Sequence, residues 1–244
     1  MRVLKIIGKA AVAFYEELFF HFAAGLAHIV CWLLVIPGPF ALAGIYAIGQ
    51  RAARGKGVNW RLIWDTIKEF GVRSFLLFLI ILFGFAIVAV NLWFYNVPEL
   101  SPFPASVKVW TTPIFIIIGV LWAGVAFYAQ AFLMELEDPK MLVVLRNSLF
   151  LTVLKPLNTL GFLLVSALVT ALSVALPILL VVLPGFLSTL SLTAVRTLME
   201  DLTERAKAMD RDKESDDLDR QDRAGQITTA EQASQPDDDT STQE

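Results

Sequence analysis

The pattern of polar and apolar positions is dominated by four long stretches that contain no Asp, Glu, Lys or Arg. These stretches are residues 18–50, 74–98, 109–134 and 156–195. A helix needs about 20 apolar residues to cross the ~30 Å hydrocarbon core of a bilayer. The alternative, a soluble bundle, would need polar faces for water, and charge-free runs of this length leave none. The pattern therefore predicts an all-α, polytopic helical membrane protein.

The lengths of the stretches predict about six spans. The second and third each fit one span, whereas the fourth would measure ~60 Å as a single helix, twice the thickness of the core. It is expected to fold back at Pro177. The first stretch is interrupted by Pro37-Gly38-Pro39, which predicts a hairpin there. The predicted spans lie near residues 19–36, 40–53, 74–95, 110–133, 157–176 and 178–195.

The second of these spans, 40–53, is short for a bilayer. It has to tilt, thin the membrane locally, or let Arg51 and Arg54 extend their charged groups to the interface. Alternatively, residues 18–50 form a re-entrant hairpin whose two ends share one side of the membrane. Both interpretations stay open on the sequence, and the rest of the topology is the same in either.

Three segments outside the spans have the pattern of interfacial helices. Residues 1–17 are basic at the start, but Glu16 and Glu17 interrupt the apolar run and no signal-peptidase site follows, so an interfacial helix is favoured over a cleaved leader. After Asn59, an expected N-cap, apolar residues at helical spacing predict an amphipathic helix near 60–72. After Asp138 (N-cap) and Pro139 (first turn), another is predicted near 141–154.

A constant offset of 82 residues aligns these two loop regions. It pairs Tyr46-Ala47 with Tyr128-Ala129 and Arg73 with Lys155. Both copies would run as a span, an interfacial helix and a returning span, which is a parallel repeat. Because apolar matches are common in a chain this hydrophobic, chance agreement remains the alternative.

Composition separates a membrane body from a polar tail. The chain is 56% hydrophobic and only 18% charged, with a net charge of −3. Residues 205–244 contain six basic and twelve acidic residues, so the remainder of the chain is mildly basic. Low hydrophobicity and dense charge predict that 205–244 is a disordered acidic cytoplasmic tail. It either solubilises this end of the chain or binds a partner.

Basic residues in the loops predict the orientation. They precede the first predicted span and fill the loops after the second and fourth, whereas Lys108 is the only basic residue on the opposite side. Positive charge is retained in the cytoplasm, so both termini and the two long loops are expected there. The chain is therefore expected to cross its membrane several times.

Candidate catalytic and metal-binding groups are sparse. His21 and His28 share one helix face and Cys31 follows one turn later, but a metal site needs three or four converging ligands, and only Glu16 and Glu17 are nearby carboxylates. Lone histidines in a span are expected to hydrogen-bond a neighbouring helix instead. Neither a phosphate-binding loop nor a dinucleotide fingerprint is present, and no paired carboxylates or Ser–His set can be assigned. We therefore expect no catalytic residue, no cofactor, no metal and no nucleic-acid partner, and we expect the protein not to be an enzyme.

A path for a solute is the other chemistry to consider. No charged residue lies in the middle of a predicted span, although ion-coupled transporters usually have one there. The candidates for a path or hinge are the amides at membrane depth and the helix breaks, namely Asn91, Gln130, Asn158, Pro37, Gly38, Pro39 and Pro184. In the simpler interpretation the amides bond neighbouring helices and the prolines form a turn and a kink.

Several motifs in a fixed order give the chain a resemblance to a known family. They are Ala43-Gly44-Ile45-Tyr46, Arg51-Ala52-Ala53-Arg54-Gly55, Asn91-Leu92-Trp93-Phe94-Tyr95 and Glu135-Leu136-Glu137-Asp138-Pro139. From about Phe22 to Met199 the chain resembles the YesL-like family of small bacterial membrane proteins, a domain of unknown function. Gly38 and Pro39 stand where that family usually has a Thr. The resemblance implies a bacterial inner-membrane location and a role beside carbohydrate uptake, and the family has no established active site to carry over.

Two functions from different classes follow. The first is a non-enzymatic accessory or sensor component of carbohydrate uptake, which would bind subunits of a membrane importer through its cytoplasmic helices. The second is a small uncoupled carrier or channel for a solute. Neither the solute nor the partner nor the oligomeric state follows from the sequence.

Overall fold

A computed structural model describes residues 2–33, 37–97, 105–137 and 139–233. Within these residues the chain is built from helices and contains no strand, which confirms the all-α class. The helices are α1 (Arg2–Glu16), α2 (Leu18–Leu33), α3 (Pro37–Ala53), α4 (Trp60–Asn96), α5 (Ala105–Glu135), α6 (Met141–Leu154), α7 (Pro156–Ala175) and α8 (Pro177–Ala233). The chain divides into two compact units, Met1–Thr197 and Leu198–Glu244.

Four helices are long and apolar enough to cross a bilayer, by length and composition, as a multi-pass membrane protein requires. They are Trp60–Asn96, Lys108–Glu135, Pro156–Ala175 and Pro177–Glu214. Helices α2 and α3 have 16 and 17 residues, or roughly 24–26 Å at the helical rise, and are shorter than the hydrocarbon core. Four spans are thus supported directly by length and composition, and the other two of the predicted six belong to the proposal below.

The helices of the first unit pack in alternating directions around α3. Gly44 of α3 faces Ile63 and Ile67 of α4, while Phe40 stacks on Phe75, so α3 and α4 run antiparallel. The same holds for α4 and α5, because the Trp122 indole donates to the Ile81 carbonyl and Gln130 reaches Ser74. In contrast, α8 runs parallel to α3. The interior is formed by the second half of α3, the end of α5 and the part of α8 that follows Gly185.

The predicted interfacial helix near 60–72 and the predicted span 74–95 form one helix, which corrects the prediction of two. Asn59 is the N-cap as predicted, since its Oδ1 accepts a hydrogen bond of 2.9 Å from the Leu62 amide. Helix α4 then continues without interruption for 37 residues to Asn96. Arg73, the predicted boundary, lies inside it. A change from an amphipathic to an apolar pattern does not end a helix, and no proline stands at this junction.

The predicted interfacial helix near 141–154 is a separate helix, as predicted, but its start differs. Helix α6 begins at Met141 with Lys140 as its N-cap, and the Lys140 side chain makes no capping bond. Asp138, the predicted cap, lies outside the described residues, and Pro139 precedes the helix instead of forming its first turn. The helix ends at Lys155, whose φ of −126° and ψ of 57° are not helical, and Pro156 opens α7.

Helix α6 directs a stripe of its apolar residues outward. Ser148 and Thr152 lie on the buried face, where their hydroxyls donate to the Val144 and Ser148 carbonyls of the same helix. These internal bonds satisfy the hydroxyls without a partner from another helix. The exposed side carries Leu142, Leu149, Phe150 and Val153. The buried face of α6 also contains Val144 and Leu151, so both faces of the predicted amphipathic helix carry apolar residues.

The predicted breaks have different outcomes. Helix α2 ends at Leu33 and α3 begins at Pro37, so the Pro37-Gly38-Pro39 triplet forms the first turn of α3, where proline is tolerated. Residues 34–36 lie outside the described part. The break at Pro177 is confirmed, because α7 ends at Ala175 and α8 begins at Pro177. Pro184, however, lies inside the continuous helix α8.

The tail also differs from the prediction of disorder. Helix α8 continues to Ala233, while residues 234–244 lie outside the described part. Residues 198–233 contain no proline and are rich in Ala, Glu, Lys, Arg and Gln, which are strong helix formers. An ion pair of 3.3 Å between Arg205 and Asp201, four residues apart, adds support. Low hydrophobicity rules out a core of its own but does not prevent a helix.

Candidate functional site

The three amides predicted to line a path lie in different surroundings. Asn91 is half-buried and its Nδ2 donates to the Ile87 carbonyl of its own helix at 2.8 Å. Gln130 is buried and donates to the Ser74 hydroxyl of α4. Ser74 and Asn91 are 17 residues apart on one helix, or ~25 Å, so Asn91 and Gln130 do not converge.

The third amide, Asn158, is half-buried in α7. Its neighbour Thr159 has its Oγ1 3.0 Å from the Tyr128 hydroxyl of α5, half a turn from Gln130. Asn158 therefore lies near the level of Gln130 and far from Asn91. The three amides do not form one continuous polar lining.

The predicted hinge residues serve as packing positions. Gly38 and Pro39 are buried, and a Cβ on Gly38 would come within 2.9 Å of the Trp32 indole. The absence of a side chain at Gly38 thus lets Trp32 pack against the first turn of α3. Pro37 lines a lateral cleft described below. Pro184 is followed by Gly185, whose backbone contacts the His21 ring so closely that a Cβ there would overlap it.

A run of buried hydroxyls in α8 is a feature that the sequence reasoning missed. Ser188, Thr189 and Ser191 are fully buried and Thr193 nearly so. The Ser188 and Thr189 hydroxyls donate to the Gly185 carbonyl at 2.8 and 3.0 Å, and Ser191 donates to the Ser188 carbonyl at 3.0 Å. Four hydroxyls within six residues of an otherwise apolar span were the available signal. They form the polar part of the interior between α2, α3 and α8.

Three contacts join this hydroxyl run to the other helices, and one of them is the 3.4 Å contact of Ser188 Oγ with the Ile45 carbonyl of α3. Thr189 Oγ1 lies 3.2 Å from His21 Nε2 on α2, and Ser191 Oγ lies 3.4 Å from the Tyr46 hydroxyl on α3. Thr189 already donates its proton to Gly185, so it accepts from His21, whose proton is on Nε2. His21 thus bonds a neighbouring helix, as the sequence predicted for a lone histidine in a span.

His28 is held in the opposite way. The Trp32 indole of the same helix donates to His28 Nε2 at 2.8 Å, so the proton of the neutral ring is on Nδ1. Within the described part of the chain neither His21 Nδ1 nor His28 Nδ1 has a hydrogen-bond partner. The two histidines therefore have different tautomers and do not point to a shared ligand.

The 3.2 Å between Thr189 Oγ1 and His21 Nε2 is also the distance expected between a catalytic nucleophile and its base. An activated hydroxyl needs access to a substrate and a third group that orients the base. Thr189 is fully buried, and His21 Nδ1 packs against Gly185 in place of a carboxylate. Over the residues that the structure describes, no group of three His, Cys, Asp or Glu side chains could hold a metal ion. The arrangement serves helix packing.

Three charged residues form a clamp at one end of the interior. Glu135, the last residue of α5, accepts from the Arg54 guanidinium at 2.9 Å through Oε2, and the Nε of Arg196 on α8 lies 3.8 Å from the same oxygen. Arg196 also donates to the Ala53 carbonyl at 3.2 Å. We call Arg54, Glu135 and Arg196 the terminal clamp. It ties α3, α5 and α8 together, and both Glu135 and Arg196 directly follow a charge-free stretch.

A lateral cleft of about 310 Å³ lies between α2, α3 and α4. Its walls include Ala24 and Ala27 of α2, Gly44 of α3, and Ile63 and Trp64 of α4. His28 and Cys31 also line it, and its surface is almost wholly apolar. The sequence reasoning did not predict this cleft, because it depends on which helices pack side by side.

The clamp, the hydroxyl run and the cleft are thus the three features that a function has to explain. The first two are internal, and only the cleft is open to a ligand. No family model matches the chain, and neither does any curated protein or any solved structure.

Proposed function

We propose that this chain is a non-enzymatic, six-span membrane protein that binds a partner membrane protein through helix α6. In this proposal both termini, α6 and the first turns of α4 lie on the cytoplasmic side of the bacterial inner membrane. The resemblance to the YesL-like family is the ground for suggesting that the partner is a subunit of a carbohydrate importer, and that the chain assists or senses its activity.

The outward stripe of α6 is the observation that carries the proposal. Leu142 is 82% exposed, Phe150 58% and Val153 59%, and Leu149 is exposed beside them. Their spacing places them on one side of the helix, with exposed Arg146 between the first two. Apolar area left in water is unfavourable by about 25 cal/mol per Å², so this stripe requires lipid or protein against it. Helical stripes of this kind are common anchors in protein interfaces.

The internal use of polar groups supports a non-enzymatic role. Glu135 is bound by two arginines, Gln130 by Ser74, and Tyr128 by Thr159. Such bonds hold helices together and leave few groups for a substrate. The proposal of an accessory protein uses the surface and leaves the interior as a scaffold.

The directions of the helices support six spans. The ends of α3 and α5 meet α8 at the terminal clamp, so these three helices run the same way, while α4 runs opposite to α3 and α5. Helix α2 runs opposite to α8, since His21 lies beside Thr189 and Gly25 beside Val181. Helices that alternate in this manner can each cross the membrane once, and α2 and α3 would do so with local thinning.

Photo-crosslinking in native membranes tests the proposal. A photoreactive residue at Leu142 or Leu149 is expected to capture a discrete membrane protein. Leu164 and Leu168, which are exposed on the apolar span α7, are matched control positions and should label lipid only. If all four positions give only lipid adducts, α6 is a lipid-facing helix and the partner proposal is wrong. Identification of the captured protein then decides whether it belongs to a carbohydrate importer.

The lateral cleft favours a second candidate, a small uncoupled carrier. Pro37 lines the cleft, and a broken helix beside a cavity is a common setting for a solute. Solute flux into liposomes that contain only the purified chain separates the two functions. Sugar-dependent flux well above that of empty liposomes would overturn the accessory role, and background flux would overturn the carrier.

A further inference from the structure

The shape of the lateral cleft points to a long, thin occupant. Helices α2 and α4 both pack on α3, which forms the floor between them through Phe40, Ala41 and Gly44. The lining covers about two turns of each helix, so the cleft is ~11 Å long along the helix axes. A further helix with its side chains is ~10–12 Å wide and does not fit a cavity of about 310 Å³.

The cleft lies at the surface of the bundle, with walls from the charge-free stretch of α2 and α3 and from the first turns of α4. Ala43, Ala47 and Ile48 of α3 are buried in the interior of the bundle, whereas the cleft lies between the two outer neighbours of α3. The Trp32 indole occupies His28 Nε2, so one polar edge of the histidine is bonded within α2. What remains is an apolar trough, which suits a hydrocarbon chain better than a sugar or an ion.

One end of the cleft has the features of a membrane interface. Trp60 and Trp64 line it and are 49% and 62% exposed, as expected for aromatic residues at the level of lipid headgroups. The segment 51–73, which leads into and through this end, contains six basic and two acidic residues. Of the basic residues, Arg54 is bound by Glu135 and Arg61 lies 4.0 Å from Asp65. Exposed Lys56 and Lys68 add to the positive field, which attracts anionic headgroups.

We propose that the cleft between α2, α3 and α4 binds one acyl chain of an anionic phospholipid, with the headgroup at the Trp60–Trp64 end beside the basic segment 51–73. This inference depends on the membrane architecture and on the cleft. It does not depend on partner binding by α6, and either proposal can fail while the other stands.

Native mass spectrometry of the full-length chain in detergent, titrated with phosphatidylglycerol or phosphatidylcholine, tests the inference. The wild type is expected to retain one phosphatidylglycerol in preference to phosphatidylcholine. Ala27→Phe fills the cleft and should weaken retention about tenfold or more, because several methylene contacts are lost. Ala89→Phe adds the same ring at an exposed position of α4 and should leave retention unchanged.

The charge and the cleft are separated by further variants. Lys56→Ala combined with Lys68→Ala should reduce the preference for phosphatidylglycerol while a lipid is still retained. Ala41→Phe is a second filling variant, used if Ala27→Phe does not give a folded protein. Equal retention of both lipids by the wild type, unchanged retention in both folded filling variants, or a dimer that excludes lipid would each overturn the inference.

Discussion

The 82-residue offset aligns helix α4 with the pair α6–α7, and these two regions differ in helix continuity. With the 82-residue offset, Arg73 corresponds to Lys155 and Ser74 to Pro156. Arg73 lies in the middle of a 37-residue helix, whereas Lys155 has a non-helical backbone between helices of 14 and 20 residues. The partners also correspond, since α4 packs on α3 and α6 on α5.

The difference shows how one residue changes a surface. Pro156 lacks an amide hydrogen and its ring clashes with the carbonyl four residues earlier, which favours a helix end here. A proline alone does not require that end, since Pro113 and Pro184 lie inside continuous helices. In α6, Ser148, Leu151 and Thr152 face inward, while Leu142, Leu149 and Phe150 face outward. The corresponding part of α4 stays in line with its span and instead forms a wall of the lateral cleft. The segments aligned by the offset thus present an exposed apolar stripe in α6 and a wall of the cleft in α4.

The largest expected effect comes from introducing the proline into α4. Ser74→Pro should break α4 at the position of Pro156 and lower the free energy of unfolding by about 3 kcal/mol or more. The thermal midpoint in detergent measures this loss. Ser74→Ala is the control, because it removes only the hydroxyl that Gln130 binds. Equal midpoints for the two variants would show that a proline does not explain the difference between the halves.

The terminal clamp comes next, because it joins the same end of both halves. Glu135→Ala should lower the free energy of unfolding by about 2 kcal/mol, since it leaves the partly buried Arg54 and Arg196 without their carboxylate. Glu137→Ala, at an exposed position of the same loop, should have little effect. Midpoints from thermal unfolding compare the two, and a similar loss in both would assign the effect to general charge.

Tyr46 and Tyr128, which the 82-residue offset pairs, provide a finer comparison. The Tyr128 hydroxyl lies 3.0 Å from Thr159, which itself donates to the Lys155 carbonyl, so Tyr128 donates its own proton. The Tyr46 hydroxyl accepts only a long hydrogen bond of 3.4 Å from Ser191, whose hydroxyl also donates to the Ser188 carbonyl at 3.0 Å. Tyr128→Phe should therefore cost about 1 kcal/mol and Tyr46→Phe less than about half of that. A larger loss for Tyr46→Phe in the same unfolding assay would mean that the two halves bond differently from this account.

The smallest effect on stability is expected for Pro156→Ala, which should change the free energy of unfolding by less than about 1 kcal/mol. Its effect should appear in the geometry. Spin labels at positions 142 and 168, in a Cys31→Ala background, would be ~39 Å apart along one straight helix. We expect the variant to move toward that separation from a shorter distance. An unchanged distance would indicate that packing on α5, and not the proline, fixes α6.

Much of the fold was predictable because long charge-free stretches have few physical solutions. The helix breaks at Pro37 and Pro177 were predictable for the same reason, since proline acts locally. The junction at Arg73 was not, because a change in hydrophobic pattern is not itself a breaker. The helix beyond residue 205 was missed because composition reports the lack of a core and not the local preference for helix.

Less of the candidate site was predictable. His21 was expected to bond a neighbouring helix, but the identity of Thr189 as its partner depends on how α2 and α8 meet. The roles of Arg54, Glu135 and Arg196 depend on three helix ends that are distant in sequence. The lateral cleft arises from small side chains on two helices and has no signature within either helix alone.

The close approach of α2 and α8 has a consequence for biosynthesis. Gly25 lies against the backbone of Val181, and the His21 ring lies against Gly185, so an early segment of the chain is completed by a late one. A ribosome releases α2 long before it makes α8. During that interval the surface of α2 around His21 and Gly25 lacks its neighbour from α8. Chains that stop before Pro177 should therefore remain targets of membrane quality control, however well their earlier segments insert.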